Sequence, residues 1–321
     1  MATFQPHAPS LGAPEAYVVA GPRGWKRRLE DPFNTYYRYP VALAVTRALL
    51  PTSITPNQVS LVQPLFAAAA GWAVTHDDWR YHVAAVALFE FRSVLDCVDG
   101  SLARAKKLSS PNGHAIDAIA DWLGVVFLYL GIFHYFWHHP PSGVSSWVAI
   151  LVVASALLQG ALRSISSDHF KTKLVSIFER KRDEGPAALR EKLLTLRQGA
   201  STFTHADAFI LWVSHLLFEG ERFDHDRSKP LGDAAVRAMI AEESSLRTRL
   251  LGFGWSISSG DAFLSFVIVS IVVGQLWAAQ VFFATAGWVW ILGFLVYNVA
   301  FFRARRRVTE ETPQALEREA A

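Results

Sequence analysis

Apolar residues in this chain come in long runs, not in the strict alternation of a half-buried strand. Six runs approach or reach the ~17–25 residues that a helix needs to cross a bilayer. They lie at Gln58–Thr75, Tyr81 to about Leu102, Gly113 to about His138, Trp147 to about Leu162, Asp261–Ala279 and Val281–Phe302. A more polar stretch, Trp25–Leu50, interleaves Lys26, Arg27, Arg28, Arg38 and Arg47 with Trp25, Phe33, Tyr36, Tyr37 and Tyr39, the pattern of a helix lying in a membrane interface. Pro51 and Pro56 punctuate the chain after it, with Thr55 placed to cap a helix whose first residue is Pro56. From Arg163 to Gly260 the chain turns polar, interrupted by Ala208–Phe218. That run is too short to span and reads as a re-entrant or interfacial helix.

The pattern predicts an all-α integral membrane protein with six transmembrane helices, an N-terminal interfacial helix and a long cytoplasmic insert between spans 4 and 5. The expected divisions are residues 1–50 (cytoplasmic N-terminus and juxtamembrane helix), 51–163 (spans 1 to 4), 164–260 (insert), 261–302 (spans 5 and 6) and 303–321 (basic tail). Hydrophobic residues make up 51% of the 321 and the mean hydropathy is +0.21, which favours membrane over solution. The N-terminal 25 residues lack the basic and apolar regions of a signal peptide. Basic clusters near the N-terminus, at Arg104, Lys106 and Lys107, through the polar segment and at Arg303, Arg305, Arg306 and Arg307 all fall on one side of a six-span layout; the other side offers Arg80. The positive-inside bias then puts both termini in the cytoplasm, in the cytoplasmic membrane if the source is bacterial. It also accounts for the net charge of +3 without nucleic acid. The single cysteine, Cys97, excludes an internal disulfide framework and reads as a small buried residue.

The candidate chemistry is concentrated between Asp96 and Asp121. At ~100° per residue, Asp99, Gly100, Ala103 and Arg104 fall at about 300, 40, 340 and 80 degrees from Asp96, all on one helix face. Gly113, Asp117 and Asp121 share a face of the next helix. Four carboxylates at the cytoplasmic third of a membrane cost several kcal/mol unless cations hold them together. Oxygen ligands without His or Cys suit hard divalent ions, Mg²⁺ or Mn²⁺, two of which would neutralise the four aspartates and bind a diphosphate. Arg104 could add bidentate phosphate contacts, the glycines would admit a nucleotide, and the last carboxylate could take a proton from an attacking hydroxyl.

The spacing D-x2-D-G-x2-A-R-x8-G-x3-D-x3-D resembles the signature of the CDP-alcohol phosphotransferases, with every fixed position present over residues 96–121. Looser similarity reaches about 25–163 and 261–302. The resemblance implies a homodimer of six-helix protomers with the active site open to the cytoplasm. It implies Asp96, Asp99, Asp117 and Asp121 as metal ligands and Asp121 as general base. It also implies Gly100, Ala103, Arg104 and Gly113 as the CDP-binding surface, with Asn57, at the start of the first span, touching the nucleotide or only shaping the turn. The reaction implied is attack by an alcohol hydroxyl on the β-phosphate of a CDP-alcohol such as CDP-diacylglycerol, releasing CMP, in phospholipid synthesis among membrane lipids. The long polar segment departs from the simplest members and leaves the acceptor alcohol open, as well as whether the lipid is donor or acceptor.

Arg163, closing the fourth span, is a weak candidate for an anionic acceptor, against a positive-inside anchor. Lys171, Lys173, Arg180, Lys181 and Arg182 read as a solvated or headgroup-facing run, and Phe223-Asp224-His225-Asp226-Arg227 as a loop. His134, His138 and His139 read as part of an interfacial aromatic belt. Two other classes also gather carboxylates in membranes: aspartate-rich prenyltransferases acting on Mg²⁺-diphosphate, and cation transporters. Neither accounts for the Gly-Ala-Arg positions.

Overall fold

The computed structural model describes residues 24–108, 111–183 and 231–319. Among the described residues the elements are helical throughout. They are α1 (Gly24–Leu29), α2 (Tyr39–Leu49, led in by a π-helical turn over Asn34–Arg38), α3 (Pro56–Val74), α4 (Trp79–Lys106), α5 (Pro111–His138) and α6 (Ser146–Arg180). After the second gap come α7 (Asp233–Ala241), α8 (Leu246–Ile257), α9 (Gly260–Val272), α10 (Leu276–Ala284) and α11 (Ala286–Glu319).

Local chemistry sets several boundaries. Thr55 and Gln58 form a reciprocal capping box at the start of α3, which satisfies two backbone donors that helix geometry leaves free. Helix α4 ends at Lys107, whose φ of 57° turns the backbone left-handed. There the Leu108 N–H bonds back to the Ala103 carbonyl at 2.9 Å, closing the last turn. Lys106 Nζ donates to the Thr52 and Ile54 carbonyls at 2.7 and 2.8 Å. The loop before α3 is thereby tied to the end of the motif helix.

Helices α3, α4 and α5 form the tightest packing unit. At the α3–α5 crossing a Cβ added to Gly71 would lie 2.1 Å from the Phe127 carbonyl oxygen, and one added to Gly131 only 2.0 Å from the Gly71 carbonyl oxygen. The backbones touch there, the mode of packing that small residues allow in membranes. Gly71→Val is expected to separate the two helices at a cost of about 3 kcal/mol or more, seen as a lower unfolding temperature in detergent; an unchanged midpoint would contradict the close crossing.

One apolar cluster joins α3, α4, α5, α6, α9 and α10 around Phe89, Tyr129, Phe263 and Phe283. A second gathers Trp25, Phe170, Leu174, Met239, Trp255 and Phe302 from α1, α6, α7, α8 and α11. Facing outward are Leu65, Leu151 and Val296, each more than two-thirds exposed. An apolar exterior of this kind belongs in lipid. Among the described residues, three helices have spanning length and hydropathy: Ile116–His138, Ser146–Arg180 and Ala286–Arg305; α8 and α9, bent by 53° at their junction, make a fourth if counted as one span. Charge explains why α4 is not among them, since it carries Glu90, Arg92, Asp96 and Asp99 within ten residues. The protein is an integral membrane protein.

Several sequence expectations shift. The stretch Trp25–Leu50 is not one interfacial helix: Asp31 and Pro32 break it, with Asp31 Oδ1 accepting the backbone N–H groups of Phe33 and Asn34. Arg38 does not face headgroups; it is buried and ion-paired with Glu90 at 2.6 Å. The fourth helix does not stop near Leu162 but continues to Arg180, because its polar half packs into the second apolar cluster. Within the basic run, Lys173 is buried against Asp183 at 3.2 Å instead of solvated. The turn after the fifth run falls at Val273–Gln275, where Gly274 has φ of 69°, and not near Gln280. Gln280 itself is buried. Residues Ala208–Phe218 and Phe223–Arg227 lie outside the described residues.

Candidate active site

Helices α4 and α5 bring the sequence motif together. Asp96, Asp99 and Asp117 each place a carboxylate oxygen within 4.8 Å of the others. Asp99 is buried, and its Oδ2 accepts hydrogen bonds from Ser60 Oγ at 2.6 Å and Gln63 Nε2 at 2.7 Å, both on α3. These donors fix one oxygen and leave the carboxylate oriented toward its neighbours. Asp117 Oδ1 is buried without a hydrogen-bond partner among the described residues. An orphaned anionic oxygen beside two further carboxylates is costly unless a cation completes it. Three oxygen ligands and no nitrogen or sulfur fit a hard divalent ion.

The fourth aspartate stands apart. Asp121 is not in the three-oxygen group; it is ion-paired with Nη2 of Arg92, which lies one turn before Asp96 on α4. The Arg92 side chain is 5% exposed, that of Asp121 47%. Arg92 lies over the Phe89 ring and against Gly124, where an added Cβ would sit 2.9 Å from Arg92 Nε. One carboxylate is thus paired within the protein, and the other three stand together.

The remaining motif positions separate by exposure. Arg104 is exposed, its Nη2 donating to Ser101 Oγ at 3.2 Å. Gly100 lies beside it, an added Cβ coming within 3.4 Å of Arg104 Nη1. Ala103 and Gly113 are half-buried. Asn57 is half-buried next to the cap that Thr55 provides. Arg163 is buried on α6, over the Phe283 ring, and its Nε has no partner among the described residues. No ion pair among the described residues joins it to the motif aspartates. Cys97 is buried with Ala42, Val59, Val98 and Leu102, as a small apolar residue would be.

Sequence reasoning passed over Ser60, Gln63 and Arg92. Arg92 had a signal, since at i−4 it shares the helix face of Asp96. Ser60 and Gln63 had only a weak one, two polar residues three apart in an apolar run.

A chain of this architecture, with this aspartate cluster, matches the family model for CDP-alcohol phosphatidyltransferases over residues 51–217. The chain belongs to that family. Members use divalent metal ions, in agreement with the oxygen-only site. The chain is also similar to a ceramide phosphoethanolamine synthase from Drosophila melanogaster, 34% identical over 126 residues, covering 36% of this chain and 32% of the relative. The match thus spans about a third of the relative's length.

Proposed function

We propose that this protein transfers a phosphoalcohol group from a CDP-linked alcohol to an acceptor hydroxyl and releases CMP. The observation that carries this reading is the division of the four motif aspartates, three within 4.8 Å of one another and the fourth held by Arg92. In this reading Asp96, Asp99 and Asp117 hold Mg²⁺ or Mn²⁺, two ions with Asp121 contributing to the second. A bound metal would neutralise charge on the donor diphosphate and the leaving phosphate. Asp121, more exposed and fixed by Arg92, is placed to take the proton of the acceptor hydroxyl. Arg104 grips the donor phosphates, while Gly100, Ala103, Gly113 and Asn57 line the path of the nucleotide. Arg163, buried and without a carboxylate partner among the described residues, is kept as a weak candidate for an anionic group of the acceptor.

The layout proposed around this site is six membrane crossings over 51–163 and 261–302, both termini and the active site cytoplasmic, with 164–260 as a cytoplasmic insert and the protomers paired as homodimers. Basic clusters at the expected cytoplasmic ends support that sidedness. The sequence alone left open whether the lipid is donor or acceptor, with CDP-diacylglycerol as one candidate donor. The name of the Drosophila relative favours the reverse pairing, in which the headgroup travels on CDP and a lipid supplies the hydroxyl.

The test is purified protein with Mg²⁺ or Mn²⁺ and either CDP-diacylglycerol with soluble alcohols or CDP-ethanolamine with ceramide or diacylglycerol. CMP release from one pairing is expected, and none from any pairing would overturn the reading. Arg104→Ala is expected to raise the donor KM about tenfold or more, as the loss of a charge-assisted contact implies. An unchanged KM would remove Arg104 from the phosphate site.

A further inference from the structure

A second group of carboxylates lies outside the motif. Glu30 and Asp31, between α1 and α2, meet Asp261 in the first turn of α9, each placing a carboxylate oxygen within 4.8 Å of the others. Asp31 forms the floor and is fully buried, Glu30 is half-buried, and Asp261 is exposed at the rim. Asp31 Oδ1 is occupied by the Phe33 and Asn34 backbone N–H groups at 2.8 and 3.1 Å. Asp31 Oδ2 is buried with no partner among the described residues. Burial and the nearby charge of Asp261 push the Asp31 carboxyl up to about 6.

The neighbouring cation acts on this group through its charge alone and gives its hydrogen bonds elsewhere. Arg38 spends Nε and Nη2 on Glu90 at 3.0 and 2.6 Å, Nη2 also on Ser265 Oγ, and Nη1 on Asn34 Oδ1. That last contact fixes which way the Asn34 amide points. Asn34 Nδ2 therefore faces the acids and donates to Glu30 Oε1 at 3.2 Å and Asp261 Oδ2 at 3.0 Å. An amide nitrogen carries its hydrogens toward the space a metal would fill, and it cannot ligate one. The pocket is already shaped around N–H donors.

The pocket also borders the motif helix. Tyr39 Oη donates to Glu30 Oε2 at 3.5 Å, and Arg38 ties Asn34 to Glu90 on α4 and Ser265 on α9. A primary ammonium has three N–H donors and can lie at about 2.8 Å from three oxygens so spaced.

Resting on the phosphoalcohol-transfer reading, we propose that Glu30, Asp31 and Asp261 form a subsite for the primary ammonium of an amino-alcohol headgroup carried by the CDP donor. Selectivity comes from the donor count: a quaternary ammonium has no N–H to give, and a diacylglycerol moiety has no positive charge to place beside Asp31.

The experiment compares wild type with Asp31→Asn, Glu30→Gln and Asp261→Asn, measuring the KM for CDP-ethanolamine, inhibition by CMP, and bound Mn²⁺ per chain. Each substitution is expected to raise the KM for CDP-ethanolamine about tenfold or more. CMP inhibition, which lacks the headgroup, should stay within about twofold, and bound Mn²⁺ should not change. Asp31→Asn keeps its Oδ1 acceptor for the two backbone N–H groups, and removing a destabilised carboxylate should raise its unfolding temperature at pH 7.5. Weaker donor binding in a more stable protein is a result that a purely structural role would not produce. An unchanged KM, a parallel loss of CMP affinity, or the loss of a Mn²⁺ equivalent would each overturn the subsite. If wild type releases CMP from CDP-diacylglycerol and not from CDP-ethanolamine, the subsite fails while the transfer reading stands. If it releases CMP from neither, both fail.

Discussion

Asp121→Asn is expected to reduce CMP release by about 10²–10⁴-fold, the usual contribution of a positioned general base, while leaving the protein folded. The amide has the shape of the carboxylate and keeps an oxygen for Arg92, so the α4–α5 contact survives. It has no basicity with which to take the hydroxyl proton. The three-oxygen group of Asp96, Asp99 and Asp117 does not include Asp121, so Mn²⁺ binding at that group should persist. Turnover of the purified variant, with metal content measured on the same sample, checks both halves. Near-normal turnover would end the assignment of Asp121 as base.

Arg92→Ala is expected to cost both stability and rate. The guanidinium is packed over Phe89 and against Gly124 and is the ion-pair partner of Asp121. Truncation opens a cavity and releases a carboxylate beside three others. A stability loss of about 3 kcal/mol is the scale for breaking one partner of a largely buried pair, here discounted because the Asp121 side chain is 47% exposed. On the proposed assignment turnover should fall at nearly constant donor KM, since Arg92 pairs with Asp121 and is not among the residues proposed to hold the nucleotide. Arg92→Lys should rescue stability better than rate, because a flexible point charge does not hold a carboxylate in one orientation. A double-mutant cycle with Asp121→Asn measures the coupling directly. Additive effects on unfolding would show that the pair contributes nothing.

The placement of the aspartates was largely legible from spacing alone. Asp96, Asp99, Asp117 and Asp121 lie on two adjacent helices at intervals that put each pair on one face, and helix periodicity is a local property. The family resemblance rested on these four with Gly100, Ala103, Arg104 and Gly113, and the family match reached well beyond them, over residues 51–217. The apolar runs likewise announced helices in lipid. They were less exact about ends, because hydropathy does not register a helix that continues through a polar region by packing, as α6 does to Arg180. Nor does it register a turn set by one left-handed glycine, as at Gly274.

What stayed hidden depends on contacts between distant segments. Ser60 and Gln63 become functional candidates only when α3 crosses α4 beside Asp99. Asp261 lies some 230 positions from Glu30 and Asp31, and each looks ordinary in its own surroundings.

The sequence by itself determined that two pairs of aspartates would lie on two neighbouring helices, each pair on one face, because both motif segments are neighbours in the chain and helical geometry needs no distant partner. Only the tertiary structure divided those carboxylates into a group of three and an ion pair with Arg92. It alone folded the N-terminal segment onto α9 beside them. Coulomb energy and burial depend on distance in space, and the chain order does not contain that distance.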